Sequence, residues 1–249
     1  MSDLADRISA ALPEDEPREH RWGLGAFLLV FATFVLSAVL IGAIAQVLAP
    51  GQTLSVKVAV IGTVMPPLLA AGVAILVTVL RGNGPRLDLR WSFTWADIRA
   101  GLRYGCIGLV CTTVAALLWT KLVGEQNATS ALGMLVENQR LPVVAAIAMF
   151  LFVWLIGPVC EEIIYRGLLW GALERLNWGR WWVFGLTTVI FAVTHLEPLR
   201  TSLLLVIGIP IGLARLFTGR LGASIITHQI NNFLPALAVL LVALDVLPP

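Results

Sequence analysis

Long apolar runs, separated by short polar or Pro/Gly-marked breaks, organise this chain from Gly23 onward. Four or more of them reach the roughly 20 residues that a helix needs to cross hydrocarbon, and they are too long for the ~10-residue alternating strands of a membrane barrel. Backbone in lipid has to satisfy its own hydrogen bonds, so helices are the remaining form. The pattern predicts seven helices. The first covers Gly23 to Ala49, ended by Pro50-Gly51, and the second Leu54 to Leu80, with a kink expected at Pro66-Pro67. The third covers Gly105 to Val123, and the fourth Pro142 to Glu174 with a break expected at Gly157-Pro158. Trp181 to His195, Ser202 to Phe217 (with Pro210 inside) and Gly222 to Leu244 complete the set. The fold class that follows is all-α: a polytopic transmembrane helical bundle of about seven spans with a buried polar site.

Composition agrees. Of 249 residues, 58% are hydrophobic and 13% charged, with a mean hydropathy of +0.88; a soluble domain carries about a quarter charged residues. Three regions are expected: a polar cytoplasmic tail over 1–22, N-terminal transmembrane helices over 23–140, and a catalytic transmembrane core over 141–245. The tail mixes Asp3, Asp6, Glu14, Asp15, Glu16 and Glu19 with Arg7, Arg18 and Arg21, unlike a secretory signal, so the first span is read as uncleaved. His20, in this tail, reads as solvated. An arginine-rich connection is expected from Arg81 to Arg103, with Trp91 and Trp95 as interfacial anchors, and Trp178, Trp181 and Trp182 read as an aromatic belt.

Charge sets the orientation. One side of the predicted bundle holds Arg7, Arg18, Arg21, Arg81, Arg86, Arg90, Arg99, Arg103, Arg175, Arg180, Arg215 and Arg220; the other holds Lys57, Lys121, Arg140 and Arg200. Twelve against four puts the N-terminus in the cytoplasm by the positive-inside rule. The net charge of +2 says little about partners, and since no basic patch interleaved with aromatics argues for nucleic acid, none is expected as a partner. The lipid bilayer is the expected partner, and a bacterial inner membrane the expected location. Cys106, Cys111 and Cys160 are odd in number and lie in or beside apolar stretches, so they read as packing residues rather than a disulfide framework.

Against this background a few polar groups stand out. Glu161-Glu162-Ile163-Ile164-Tyr165-Arg166 lies inside the fourth helix, and His195 and His228 lie in later apolar stretches, with Asn232 one turn beyond His228. A charge at mid-bilayer costs roughly 2.5–3.5 kcal/mol on insertion scales, so such groups are retained where they pair or do chemistry. At 1.5 Å per residue, Glu161 lies about 20 Å from Glu174, His195 about 21 Å from Trp181, and His228 and Asn232 about 12 and 18 Å from Arg220. Glu162 and Arg166, four apart, share a face and are expected to pair; Glu161 points about 100° away with no intrahelical cation. A carboxylate free of a cation suits a general base for water, and two imidazoles with an amide suit an oxyanion.

The ordered motifs Glu161-Glu162-x-x-x-Arg166, Phe191-x-x-x-His195 and His228-x-x-x-Asn232 resemble those of the CAAX-protease and bacteriocin-processing (CPBP/Abi) family of intramembrane proteases, related to type II CAAX prenyl proteases. The resemblance covers about residues 142–240, and Tyr165, Gly167 and Asn231-Asn232 fit it too. It implies an endopeptidase cutting a peptide or membrane-anchored protein. Glu161 would activate water, His195 help hold it, and His228 and Asn232 stabilise the oxyanion. Glu162 and Arg166 would hold the motif helix in shape, and Phe191 would pack beside the site. It also implies either a divalent metal such as zinc, on Glu161, His195 and His228, or a metal-independent glutamate mechanism; the latter is preferred because His-Glu-x-x-His is absent.

Blander readings compete. Glu162 with Arg166 serves equally as a purely structural pair, a lone intramembrane histidine is commonly an interhelical hydrogen-bonding residue, and Asn231 reads as an ordinary interhelical donor. A Cys160 nucleophile is disfavoured by its direction on the helix. At the level of the whole protein, the alternative is a non-catalytic bacteriocin-immunity or scaffold protein of the same fold. A proton-coupled carrier would use the same buried groups, but no internal repeat supports it.

Overall fold

A computed structural model describes residues 21–51, 55–124, 127–130, 133–134 and 141–247. The first 20 residues, with His20 and every charged group of the expected tail except Arg21, lie outside the described residues, as do Leu54 and Arg140. The described chain is helical throughout. Its principal helices are α1 (Leu24–Leu48), α2 (Val56–Arg81), α3 (Trp95–Val123), α4 (Val143–Glu174), α5 (Arg180–Val193), α6 (Thr201–Thr218) and α7 (Leu221–Ala243). Six are long and apolar enough to cross a membrane, α6 counted with the 3₁₀ turn Pro198–Arg200 before it. The 14-residue α5 is about 21 Å long, short of the ~30 Å hydrocarbon core. The protein is an integral membrane protein.

Three sequence expectations are corrected. The connection after α2 does not extend to Arg103: α3 already starts at Trp95, because Thr94 and Asp97 form a reciprocal capping box that satisfies the first free N–H groups. Arg99 and Arg103 therefore sit on the helix. Nor does Gly157-Pro158 break α4. The helix widens into a π turn over Phe152–Ile156, where Gly157 N–H donates to Phe152 O five residues back, and the extra residue lets the proline ring pass within a continuous helix. Finally, α5 ends at Val193, so His195 stands in the turn after it, closed by Leu196 in the left-handed region (φ 55°).

The arginine-rich ends gather at one end of the bundle and are stitched together there. Arg21 N–H donates to Arg81 O at 2.7 Å, Arg175 Nη1 to Trp22 O at 2.9 Å, and Trp22 Nε1 to Asp88 Oδ2 at 2.8 Å. Arg90 pairs with Glu174 at 3.0 Å and Arg220 with the buried Asp97 at 2.6 Å. The principal core lies at this end and is built from Trp22, Leu89, Leu168, Leu169, Trp170 and Leu173, with alanines of α2 against them.

A glycine seam joins α3 to α7. A Cβ on Gly101 would lie 2.6 Å from Ile226 Cβ, and one on Gly105 2.6 Å from Ile230 Cδ1, so the two backbones meet with nothing between them but the α7 side chains. Close approach lets polar groups bond across the seam. Thr227 Oγ1 donates to Gly101 O at 3.3 Å and Thr112 Oγ1 to Asn231 Oδ1 at 3.2 Å. Asn231 is thus the interhelical amide that its position suggests, and the seam fixes the rotation of the helix that carries His228.

Candidate active site

Three elements deliver the polar groups: α4, the turn after α5, and α7. On α4, Glu162 and Arg166 are both 0% exposed and pair at 3.1 Å, four residues apart on one face. Their pairing offsets much of the cost of burying either charge. Arg166 Nη2 also donates to Gly208 O of α6 at 3.3 Å, and its guanidinium lies 4.5 Å from the centre of the Phe191 ring. Phe191 is packed edge-on against three other rings: Tyr165 at 5.4 Å, His195 at 4.7 Å and His228 at 5.7 Å between centroids. The Tyr165 hydroxyl is bonded to Thr194 Oγ1 at 2.6 Å, which ties α4 to the residue just before His195.

Both imidazoles have their tautomers set from behind. His195 Nδ1 lies 2.7 Å from Phe191 O, and since a carbonyl only accepts, Nδ1 carries the hydrogen. His228 Nδ1 lies 2.9 Å from Glu162 Oε1, the same oxygen that Arg166 holds, and donates to it. In each ring Nε2 is left facing forward, and both face one atom: Glu161 Oε2, 3.7 Å from His228 Nε2 and 4.0 Å from His195 Nε2. These separations exceed a direct hydrogen bond, so the three groups face a common point without bonding one another. Glu161 and His195 are each 28% exposed, whereas His228 is 2% exposed. The site is therefore a buried back wall with an open front.

The structure thus brings Glu161, His195 and His228 together, with Glu162, Arg166 and Phe191 directly behind them. It does not bond Asn232 to this group: the Asn232 amide donates to Val153 O at 3.2 Å. That carbonyl is the one that Pro158, lacking an N–H, leaves free in the π-turn pattern. Gln229 Nε2 caps Leu155 O of the same turn at 3.0 Å. As a metal site the triad is loosely spaced. Ligands about 2.1 Å from a tetrahedral ion stand about 3.4 Å apart, closer than the separations measured here. Among the described residues no three His, Cys, Asp or Glu side chains are grouped to hold a metal ion.

Two residues escape the sequence reading. Arg215, counted above with the cytoplasmic arginines, is 1% exposed inside the core. Its Nε donates to Arg166 O at 3.0 Å, Nη1 donates to Gly219 O, and its guanidinium lies 5.7 Å from the Trp170 ring. Its isolation in Ile-Gly-Leu-Ala-Arg-Leu-Phe was the available signal. Gln229 left none, since a glutamine near a helix middle is common.

The described residues form an all-helical membrane bundle with paired glutamates, an arginine and two histidines gathered at one largely buried point. Residues 143–234 match the family model described as type II CAAX prenyl endopeptidase Rce1-like. Through this segment the chain is similar to the CAAX-protease family. It is also similar to the membrane-embedded CAAX protease MroQ of Staphylococcus aureus (strain USA300), 26% identical over 178 residues, covering 66% of this chain and 68% of the relative. No solved structure matches. This likeness supports a membrane protease, and the match ends within α7 just after Asn232.

Proposed function

We propose that the chain is an intramembrane endopeptidase that hydrolyses peptide bonds with water activated by Glu161, in a bacterial inner membrane. The observation that carries this reading is the convergence of two imidazole Nε2 atoms on one carboxylate oxygen, with both rings locked through Nδ1. Water in that space would give one hydrogen to Glu161 and orient the other on His195 Nε2. As its oxygen attacks the scissile carbonyl, Glu161 takes the proton.

His228 then serves the oxyanion. It does so as an imidazolium whose Nε2 proton is taken from solvent before the peptide binds and is kept through the cycle, with Glu162 on its Nδ1–H and Nε2–H donating to the oxyanion. One Asn232 N–H is held by Val153 O, and the second is the hydrogen that it would offer the oxyanion. The C–N bond breaks as the proton on Glu161 passes to the leaving amine, which yields a carboxylic acid and an amine. Substrates of this reading are peptides or membrane-anchored proteins.

The test is cleavage of a peptide library by purified protein in lipid, wild type against Glu161→Gln, with metal analysis of the same sample. Loss of at least about 10³-fold in turnover by a variant that still inserts and folds is expected for removing the base and the water it orients. Retained turnover, or stoichiometric metal whose removal abolishes cleavage, would overturn the glutamate mechanism.

A further inference from the structure

Burial along α4 divides at the site. Every residue from Glu162 to Leu173 is buried, whereas Glu161 and the residues from Val153 to Ile156 are partly open. Helix α7 divides at the same level. Residues 221–228 are buried except for Ile226, and Gln229, Asn232, Phe233 and Leu234 are not. On the buried side the path to Glu161 is filled by Arg166, Arg215, Trp170 and Trp22, and that side is the stitched, arginine-rich end.

The other side is short of walls. Helix α5 stops at Val193, level with the site, and α6 begins at Thr201, about 10 Å beyond Gly208, whose carbonyl holds Arg166. The turn between them borders a concavity of about 320 Å³ lined by Asn127, Thr129, Met134, Leu196, Glu197 and Arg200. Glu197 and Arg200 pair at 2.6 Å on the wall of this concavity, which adjoins the turn that carries His195. The basic residues described on this side are Lys57, Lys121 and Arg200, against ten arginines at or near the stitched end.

We infer that substrate reaches Glu161 from the arginine-poor face, which the positive-inside rule makes extracytoplasmic, so that the substrates are peptide segments exposed outside the cytoplasm. The inference rests on the protease reading for what a substrate is, and on burial and charge for where it enters. A site sealed on the cytoplasmic side leaves peptides confined to the cytosol without a route, whereas exported peptides and proteins anchored with their polar part outside meet the open half directly.

Accessibility tests this without turnover. In a chain with Cys106, Cys111 and Cys160 replaced by alanine, Glu161→Cys and Leu196→Cys are each treated with a membrane-impermeant cationic methanethiosulfonate, in intact cells and in inverted vesicles. Trp178→Cys reports the opposite end. Leu196 is exposed and outside the proposed machinery, so its variant decides the question even if Glu161→Cys fails to insert. Labelling of both front positions at least about fiftyfold faster in intact cells is expected, since the reagent's charge would otherwise cross apolar packing. Trp178→Cys should show the reverse preference. Faster labelling in inverted vesicles, or none from either side, overturns the inference. A quenched-peptide library added to right-side-out and inverted vesicles separates the two readings. Turnover in neither orientation ends the protease reading and leaves the side of entry to the labelling rates, and turnover in inverted vesicles alone ends the proposed side of entry.

Discussion

Helix α4 is wound into a π turn on each side of its glutamates, at Phe152–Ile156 and at Ile163–Leu169, and the two turns are finished differently. In a π turn the backbone ladder is re-registered and carbonyls come free for other donors. The first turn is partly open, and its carbonyls are met by neutral amides, Asn232 on Val153 and Gln229 on Leu155. The second is wholly buried, and its Arg166 carbonyl is met by a guanidinium, Arg215. Where the helix borders the open front, a neutral donor suffices. In the sealed half a cation does the work, and the same interior holds the Glu162 carboxylate that partly balances it. The difference teaches that the two halves carry separate tasks, one shaping the mouth of the site and the other fixing Glu162 behind His228.

Three substitutions break or sharpen this contrast. Arg166→Met removes the partner of a fully buried carboxylate and should cost about 3–5 kcal/mol of stability; thermal unfolding in detergent would show a large downward shift with loss of turnover. Arg215→Met deletes a charged donor to the second turn and should cost about 1.5–3 kcal/mol, with turnover falling as Glu162 and His228 lose their backing. Gln229→Leu deletes a neutral donor at the open turn and should cost about 1 kcal/mol. If Arg215→Met and Gln229→Leu shift unfolding equally, the two turns are equivalent and the distinction fails.

The bundle and the Glu162–Arg166 pair were legible because both rest on local rules: apolar run length and i,i+4 spacing. Spacing also put Phe191 beside His195 and Glu161 away from the ion pair. What escaped depends on partners distant in sequence. A proline inside an apolar run reads as a break because nothing local reveals that Asn232, more than seventy residues away, caps the carbonyl it strands. Arg215 reads as an interfacial charge when counted from the nearby helix end, and only packing against Trp170 and the Arg166 carbonyl makes it a core residue. The start of α3 was hidden by its own arginines, which outweigh the Thr94–Asp97 cap in a reading by hydrophobicity.

The glycine seam between α3 and α7 bears on how this architecture is inherited. The segment that matches the family model, residues 143–234, contains all of the candidate site residues yet only one side of the seam. Excised, it would turn Thr227, Asn231 and the flanking isoleucines toward lipid, with two polar groups stripped of the Gly101 carbonyl and the Thr112 hydroxyl they now engage. The amino-terminal helices, which bear none of the candidate site residues, are in that sense the mould against which the other half sets, and a graft of the matched segment onto another scaffold would have to bring a bare backbone ridge with it.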